Sequence, residues 1–194
     1  MLAVGHLLLA FAISTGVIAA QDRGALLVAT GASRDADFTQ TVVLILDHDA
    51  HKTTGLVLNR PVRISLAEIF PGLTTRQTAW AGGPVLLGVN ALLRTKTPPA
   101  DADRVLRSVY LITDKPTLRH TVAAGISSDS FRVYLGVCGW GAGQLESEIH
   151  RRLWHILPGS ADLVFDEAPV TLWKRLSQRP RELDTFQAPY ETRQ

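Results

Sequence analysis

Short apolar runs separated by polar turns dominate the chain from residue 25 to residue 58. The runs are continuously apolar and rich in β-branched residues, so each predicts a buried strand rather than an alternating surface strand. These predicted strands lie at residues 25–29, 42–46 and 54–58. The polar segment Asp47–Lys52 has the length of a hairpin connection. Ser65, with Glu68 three residues later, predicts a capped short helix that ends before Pro71.

The second half of the chain mixes strand patterns with helix patterns. Further strands are predicted at residues 89–93, 109–112, 131–137 and 163–165. Helices are predicted at residues 116–124, 144–157 and 170–176. The second of these helices is amphipathic, because four apolar residues share one of its faces: Leu145, Ile149, Leu153 and Ile156. A polar loop is predicted at residues 97–103 and a glycine turn at residues 139–143.

Strand patterns outnumber helix patterns, and several strands arrive as hairpins instead of alternating with helices. This order favours the α+β class over a doubly wound parallel sheet. No Gly-x-Gly-x-x-Gly follows the first predicted strand, which argues against a dinucleotide-binding fold. We therefore expect a single compact α+β domain over residues 24–177, with a mixed, mostly antiparallel β-sheet core and flanking helices. Residues 178–194 mix charge and proline without periodicity and are expected to form a loose tail.

The first residues of the chain carry no charged side chain, since the 20 Lys and Arg and the 18 Asp and Glu all follow Ala20. An apolar run, Leu7–Ile13, is followed by small residues up to Ala20. This layout is typical of a secretory signal peptide, so we expect residues 1–20 to be cleaved and the protein to be periplasmic or exported. The alternatives are an uncleaved membrane anchor, or a start codon near Gly24 and a cytoplasmic protein.

Charge and cysteine content exclude some function classes. The net charge of +2 is not a strong basic excess, so the composition does not favour nucleic-acid binding, and an exported protein is not expected to bind nucleic acid. One cysteine excludes an internal disulfide and a multi-cysteine zinc site. His48 and His51 flank a polar turn, and Glu146 and His150 stand four residues apart. Ordinary turn chemistry and surface pairing explain both patterns, so we expect no metal and no cofactor.

The densest chemical signal lies at residues 134–146, where glycines occupy positions 136, 139, 141 and 143. A strand, a glycine turn and a helix start can form an anion cradle, because backbone N–H groups converge at a helix N-terminus. The alternative is a tight structural turn packed around Trp140. Cys138 is either an activated nucleophile or a small buried core residue. No serine lies in a Gly-x-Ser-x-Gly elbow, and no catalytic residue is predicted.

Several separated motifs follow one another between residues 24 and 173. They are Gly24–Thr30, Asp35–Phe38, Thr41–His48, Gly55–Pro61, Gly82–Val85, Gly139–Glu148, Trp154 and Val164–Phe165. In this order the motifs resemble the YqgE/AlgH family of bacterial proteins. The resemblance implies a single compact α+β domain, no settled activity and no catalytic residue. One branch of the family is associated with transcriptional regulation of alginate production.

These observations favour an exported, non-enzymatic binding or regulatory domain. Its predicted surface presents backbone N–H groups and one arginine to a small anion or a protein partner; the residues are His48, Asn59, Arg60, Gly82, Gly83, Gly139, Trp140, Gly141, Gly143 and Gln144. The alternatives are a cytoplasmic transcriptional regulator, and a hydrolase or transferase that uses the glycine-turn cleft. Such an enzyme would use Cys138 or a serine as nucleophile and His48 or His150 as base. Membrane contact is expected only through an uncleaved leader.

Overall fold

The computed structural model describes residues 23–33 and 35–178, so the predicted leader and nearly all of the predicted tail lie outside the described residues. The strands are β1 (Ala25–Ala29), β2 (Val42–His48), β3 (Lys52–Val57), β4 (Pro61–Ser65), β5 (Thr78–Ala81), β6 (Val85–Arg94), β7 (Ala102–Leu106), β8 (Val109–Ile112), β9 (Phe131–Gly141) and β10 (Trp154–Pro158). The helices are α1 (Leu66–Ile69), α2 (Lys115–Ala123), α3 (Gln144–His150), α4 (Ala161–Val164) and α5 (Pro169–Ser177). Within these residues, no helix is long and apolar enough to cross a membrane.

A curled antiparallel sheet forms the frame of the molecule, with strand order β10-β1-β2-β3-β9-β6-β8-β7. Beside it, β4 pairs antiparallel with β5, and β5 pairs parallel with β9. The curl brings the two ends of the sheet together: a Cβ atom at Gly24, just before β1, would lie 2.6 Å from the Leu106 side chain of β7. Arg23 also donates a hydrogen bond to the Arg104 carbonyl oxygen. This strand-rich sheet with several helices confirms the predicted α+β class.

Three apolar clusters hold the curled sheet in place. The largest fills the concave side, because its members come from both ends of the strand order, including Leu26 of β1 and Val105 of β7. Helices α4 and α5 contribute Val164, Leu172 and Leu176 to it. The second cluster lies between β1–β3 and α3, and the third lies between β6, β8, β9 and helices α1 and α2. The helices thus cover sheet faces that would otherwise expose apolar side chains to water.

The chain crosses over β9 on its way from β5 to β6. Gly82 lies between β3 and β9, because its N–H donates to the Leu135 carbonyl oxygen (2.8 Å) and its own carbonyl oxygen accepts from Val57 N–H (2.8 Å). Three residues later, Val85 pairs with Val137 on the opposite edge of β9. The intervening chain therefore passes directly over the backbone of β9.

This crossing leaves no room for side chains. A Cβ atom at Gly83 would lie 2.2 Å from the Val137 carbonyl carbon and 2.3 Å from the Cys138 nitrogen. In β9 itself, Gly136 has a φ of +74°, a backbone conformation that glycine adopts at little cost. A Cβ atom there would lie 2.6 Å from the Gly83 carbonyl oxygen. The glycines of the Gly82–Val85 motif are therefore needed for the backbone path.

Two of the sequence predictions around the glycine segment are wrong. The predicted turn at 139–143 is instead largely strand, since Gly139 and Gly141 continue β9 opposite Thr54 and Lys52 of β3. The predicted helix at 144–157 ends at His150, and the chain re-enters the sheet as β10. The amphipathic pattern is still satisfied, because all four of its apolar residues join the second cluster: Leu145, Ile149, Leu153 and Ile156.

Other differences have local causes. The strand predicted at 163–165 is replaced by α4 and its C-cap, because the Ser160 hydroxyl caps the helix by accepting from Leu163 N–H. The loop predicted at 97–103 gives way to β7 at Ala102. The strands β4 and β5 were not predicted, since β4 is mostly exposed and lacks an apolar run. The capping box of Ser65 and Glu68 is confirmed at the start of α1.

Candidate functional site

Asn59, which was predicted to lie on the binding surface, follows β3 and is buried beside the start of β2. Its Oδ1 accepts from Val42 N–H (2.9 Å), and its Nδ2 donates to the Gln40 carbonyl oxygen (2.9 Å). Only 8% of the residue is exposed. Gln40 has a φ of +56°, an uncommon conformation for a residue with a side chain. The Asn59 amide therefore holds the irregular chain that leads into β2.

Arg60 fastens the same loop from its other side. Its guanidinium donates to three carbonyl oxygens, those of Asp37 (2.7 Å), Thr39 (3.0 Å) and Ala36 (3.4 Å). Arginine suits this task, because its rigid fork offers several donors at fixed angles. The guanidinium N–H groups of Arg60, which were predicted to bind an anion, therefore donate to carbonyl oxygens of the protein itself.

The fastened loop presses Phe38 into an aromatic cluster. The Phe38 ring stacks on Trp140 with the centroids 5.7 Å apart and meets the edge of Trp154 at 5.4 Å. The two indoles also contact each other edge to face at 6.1 Å. Such pairs add to the stabilisation that comes from burying the rings. Trp140, a predicted binding residue, is only 2% exposed and belongs to this cluster.

Glu148 joins the aromatic cluster to α3. Its Oε2 accepts from the indole N–H groups of Trp140 (2.9 Å) and Trp154 (2.8 Å). Its Oε1 accepts from Gln144 Nε2 (3.1 Å), and the Gln144 Oε1 accepts from Gly141 N–H (3.1 Å). Sequence reasoning missed this role, because it assigned no partner to Glu148. The available signal was the pair of tryptophans, since a buried indole N–H needs an acceptor.

A family profile described as AlgH-like matches residues 26–181. The chain belongs to the AlgH-like family. A UPF0301 protein of Streptomyces avermitilis is 31% identical over 179 residues, which cover 86% of this chain and 91% of that protein. A UPF0301 protein of Xanthomonas campestris is 33% identical over 163 residues, which cover 79% and 86%.

Solved structures support the fold of this AlgH-like chain. The solution structure of the AlgH protein from Pseudomonas aeruginosa has a TM-score of 0.66 and 25% identity, and covers 88% of this chain and 95% of that one. A crystal structure from Corynebacterium diphtheriae has a TM-score of 0.69, with 87% of this chain and 92% of that one covered. Its identity of 21% shows a shared fold only. The resemblance to the YqgE/AlgH family is therefore confirmed.

The AlgH-like motifs are expected to stabilise the fold through Glu148. Replacing Glu148 by alanine leaves the indole N–H groups of Trp140 and Trp154 without their acceptor, so the free energy of unfolding should fall by about 2–4 kcal/mol. Glu148→Gln should cost less, because the amide oxygen can still accept from the indoles. Urea unfolding followed by tryptophan fluorescence measures both changes.

Glu146 provides the matched control for this prediction. It lies on the same helix, α3, and makes no side-chain hydrogen bond with the described residues. Glu146→Ala should change the free energy of unfolding by less than about 1 kcal/mol, the loss of one favourable charge near a helix N-terminus. Equal effects of Glu146→Ala and Glu148→Ala would contradict the role assigned to Glu148.

Cys138 lies in the core of this AlgH-like chain. The residue is fully buried, and its thiol donates a weak hydrogen bond to the Gly82 carbonyl oxygen (3.5 Å). Burial raises the pKa of the Cys138 thiol to about 12. Since the thiolate is the nucleophilic form, this cysteine is inert at neutral pH. His48, proposed as a base, pairs through Nδ1 with the Thr53 hydroxyl at 2.7 Å.

The predicted surface thus divides into two groups. Asn59, Arg60, Trp140, Gly82 and Gly83 support the fold through the contacts described above. The other group stays exposed at one end of β9 and the start of α3; it comprises Gly139, Gly141, Gly143 and Gln144. His48 lies half-buried near this end, in the β2–β3 hairpin.

Among the described residues, the exposed end of β9 contains no metal site and lines neither of two surface cavities. In residues 23–33 and 35–178, no three His, Cys, Asp or Glu side chains are arranged to hold a metal ion. A cavity of about 320 Å³ lies beside Arg94 and His120, and one of about 590 Å³ lies beside Arg94, Asp166 and Arg175. Arg94 pairs with Asp162 (2.5 Å), and Arg175 pairs with Asp166 (2.5 Å). None of the predicted surface residues lines either cavity.

Proposed function

We propose that this AlgH-like chain is a non-enzymatic binding domain that acts outside the cytoplasm and recognises a protein partner through the exposed end of β9. The observation that supports this proposal is the division of the predicted surface. The arginine and amide that the sequence offered to a ligand are used within the fold, while Gly139, Gly141 and Gln144 stay exposed. A protein partner suits this end better than a small anion, because the guanidinium of Arg60 is already engaged.

The same geometry argues against an enzyme that uses Cys138 as its nucleophile. A nucleophilic cysteine needs an accessible thiol of lowered pKa with a base in reach. Cys138 is buried, and burial raises its thiol pKa to about 12. The proposed location outside the cytoplasm is supported by the uncharged, apolar Met1–Ala20 segment, which lies outside the described residues.

Thiol cross-linking in the native host tests both parts of the proposal. Gly141→Cys places a reactive thiol at the exposed end, where a Cβ atom meets nothing within 4 Å. Val170→Cys is the matched control, since Val170 is 72% exposed on α5. The reagent is a maleimide linked to an amine-reactive ester that stays outside the cytoplasmic membrane. The native Cys138 should not react, because it is buried.

The expected result is labelling at both engineered positions and a discrete adduct with one protein at Gly141→Cys only. An intact mass that lacks Met1–Ala20 should accompany it. Absence of labelling at both positions would overturn the extracytoplasmic location. Labelling with the same adducts at both positions, or with none, would overturn the assignment of this end as a binding surface.

A further inference from the structure

The exposed end of β9 has backbone groups that face away from its neighbour β3. Lys52 N–H donates to Asp49 Oδ1, and the Lys52 carbonyl oxygen accepts from Asp49 N–H, so the backbone of Lys52 is directed toward β2. Gly141 lies opposite Lys52, and Gly139 lies opposite Thr54. In an antiparallel pair, residues opposite such positions direct their N–H and C=O groups outward. The bond from Gly141 N–H to Gln144 Oε1 agrees with this orientation.

No strand of the described residues lies along this outward edge. The neighbouring strand β6 begins at Val85, opposite Val137, because the preceding residues Gly82 and Gly83 cross over β9. The edge at Gly139 therefore has no neighbouring strand, whereas Gly141 N–H is bonded to Gln144 Oε1. Proteins commonly protect such edges with charged side chains or prolines, whereas this one consists of glycine, tryptophan and glycine.

An exposed apolar surface lies beside the open edge. Leu86 is 82% exposed and Val85 is 38% exposed. The Leu86 side chain would contact a Cβ atom at Gly136 at 3.4 Å, and the Val85 side chain would contact one at Gly139 at 3.9 Å. The missing side chains at Gly136 and Gly139 leave this surface flat, which allows another backbone to approach closely.

The charges around the surface select among possible partners. The surface formed by Val85, Leu86, Gly139 and Gly141 carries no charge. Lys52 lies directly opposite Gly141, and strand alternation puts its side chain on the same face as Gly139 and Gly141. Lys52 forms no ion pair with any residue that the structure describes. A complementary ligand is therefore aliphatic at its centre and acidic at the end beside Lys52.

We propose that an extended segment of the partner protein adds to β9 as an antiparallel strand, pairs with Gly139, packs aliphatic side chains on Val85 and Leu86, and directs an acidic group toward Lys52. This inference rests on the proposed function and names the class of its partner. Strand addition draws its affinity from main-chain hydrogen bonds and its specificity from alternate side chains. The residue opposite Gly139 shares its face, so the same residue supplies both the hydrogen bonds and one aliphatic contact.

Nuclear magnetic resonance with two synthetic peptides tests the inference. The probe is acetyl-Thr-Asp-Thr-Val-Thr-amide, in which aspartate precedes valine because an antiparallel strand passes Gly141 and Lys52 before Gly139. The control is the same peptide with the valine nitrogen methylated. The probe should shift the Gly139 amide resonance and slow its hydrogen exchange. The methylated peptide should bind about tenfold or more weakly, because it loses a hydrogen bond to the edge. Leu86→Asp should weaken probe binding to a similar extent, whereas Val170→Asp, at a comparably exposed site on α5, should leave binding unchanged.

Equal binding of the two peptides, or unchanged binding by Leu86→Asp, would overturn strand addition. A protein dimer that dissociates in Leu86→Asp would identify a second copy of this chain as the occupant and would also overturn it. Neither result affects a partner-specific adduct at Gly141→Cys, so the proposed function would stand or fall separately. The two aspartate variants need only keep the native tryptophan fluorescence to show that they are folded.

Discussion

Gly83→Ala is expected to lower the free energy of unfolding by about 3 kcal/mol, at the upper end of the cost of adding atoms to a tightly packed position. The new Cβ atom would lie 2.2 Å from the Val137 carbonyl carbon and 2.3 Å from the Cys138 nitrogen. Both neighbours are backbone atoms in the middle of the sheet, so neither can move aside by a change of rotamer. Relief requires the crossing chain to lift from β9, which would disturb the bonds of Gly82 to Val57 and Leu135.

Gly139→Ala is the matched control, because Gly139 lies on β9, the strand that Gly83 crosses. Its Cβ atom would meet nothing closer than a Val85 methyl group at 3.9 Å, and its φ is not positive. The change in free energy of unfolding should therefore stay within about 0.5 kcal/mol. Chemical denaturation of both variants measures the difference. Similar stabilities would show that the crossing tolerates a side chain and that the glycine pair serves another purpose.

The buried strands were predictable because their cause is local. A continuously apolar, β-branched run has few options other than a strand covered on both faces, and β1, β2 and β3 follow this rule. The end of α3 was not predictable in this way. Leu145 and Ile149 lie on the helix, while Leu153 and Ile156 reach the same cluster from beyond it. The spacing of apolar residues alone does not distinguish one long helix from a shorter helix that is followed by a strand.

The contacts of the candidate site residues could not be predicted from the sequence. Asn59, Arg60, Gly82 and Gly83 were predicted to form a binding surface, but their contacts hold the irregular backbone around them. An arginine that donates to three carbonyl oxygens looks the same in sequence as one that waits for an anion. The difference depends on which loop lies next to it, and residues 36–39 are more than twenty positions away in the chain. Long-range contacts of this kind leave no periodic signal.

Arg132 is a buried arginine whose long-range contacts also leave no signal in the sequence. Its replacement should lower the free energy of unfolding at least as much as Gly83→Ala does. The residue is 4% exposed, and no sequence pattern singled it out. Its guanidinium donates to the carbonyl oxygens of Val164 (3.0 Å), Asp166 (2.6 Å) and Ser128 (3.1 Å). It also lies 4.4 Å from the centre of the Trp80 ring, within cation–π range.

We expect Arg132→Met to lower the free energy of unfolding by about 3–5 kcal/mol, because methionine keeps an apolar stem but leaves these carbonyl oxygens without their charged donor. Two of the three acceptors, Val164 and Asp166, lie at and just beyond the end of α4, so this helix should lose hydrogen-exchange protection before the rest of the domain. Arg119→Met is the control, since Arg119 is exposed and donates to one carbonyl oxygen, that of Pro71 (3.0 Å). Its loss should cost about 1 kcal/mol or less. Equal costs for the two variants, or an unprotected β9 before an unprotected α4, would show that Arg132 is a packing residue rather than the group that fastens α4 to the sheet.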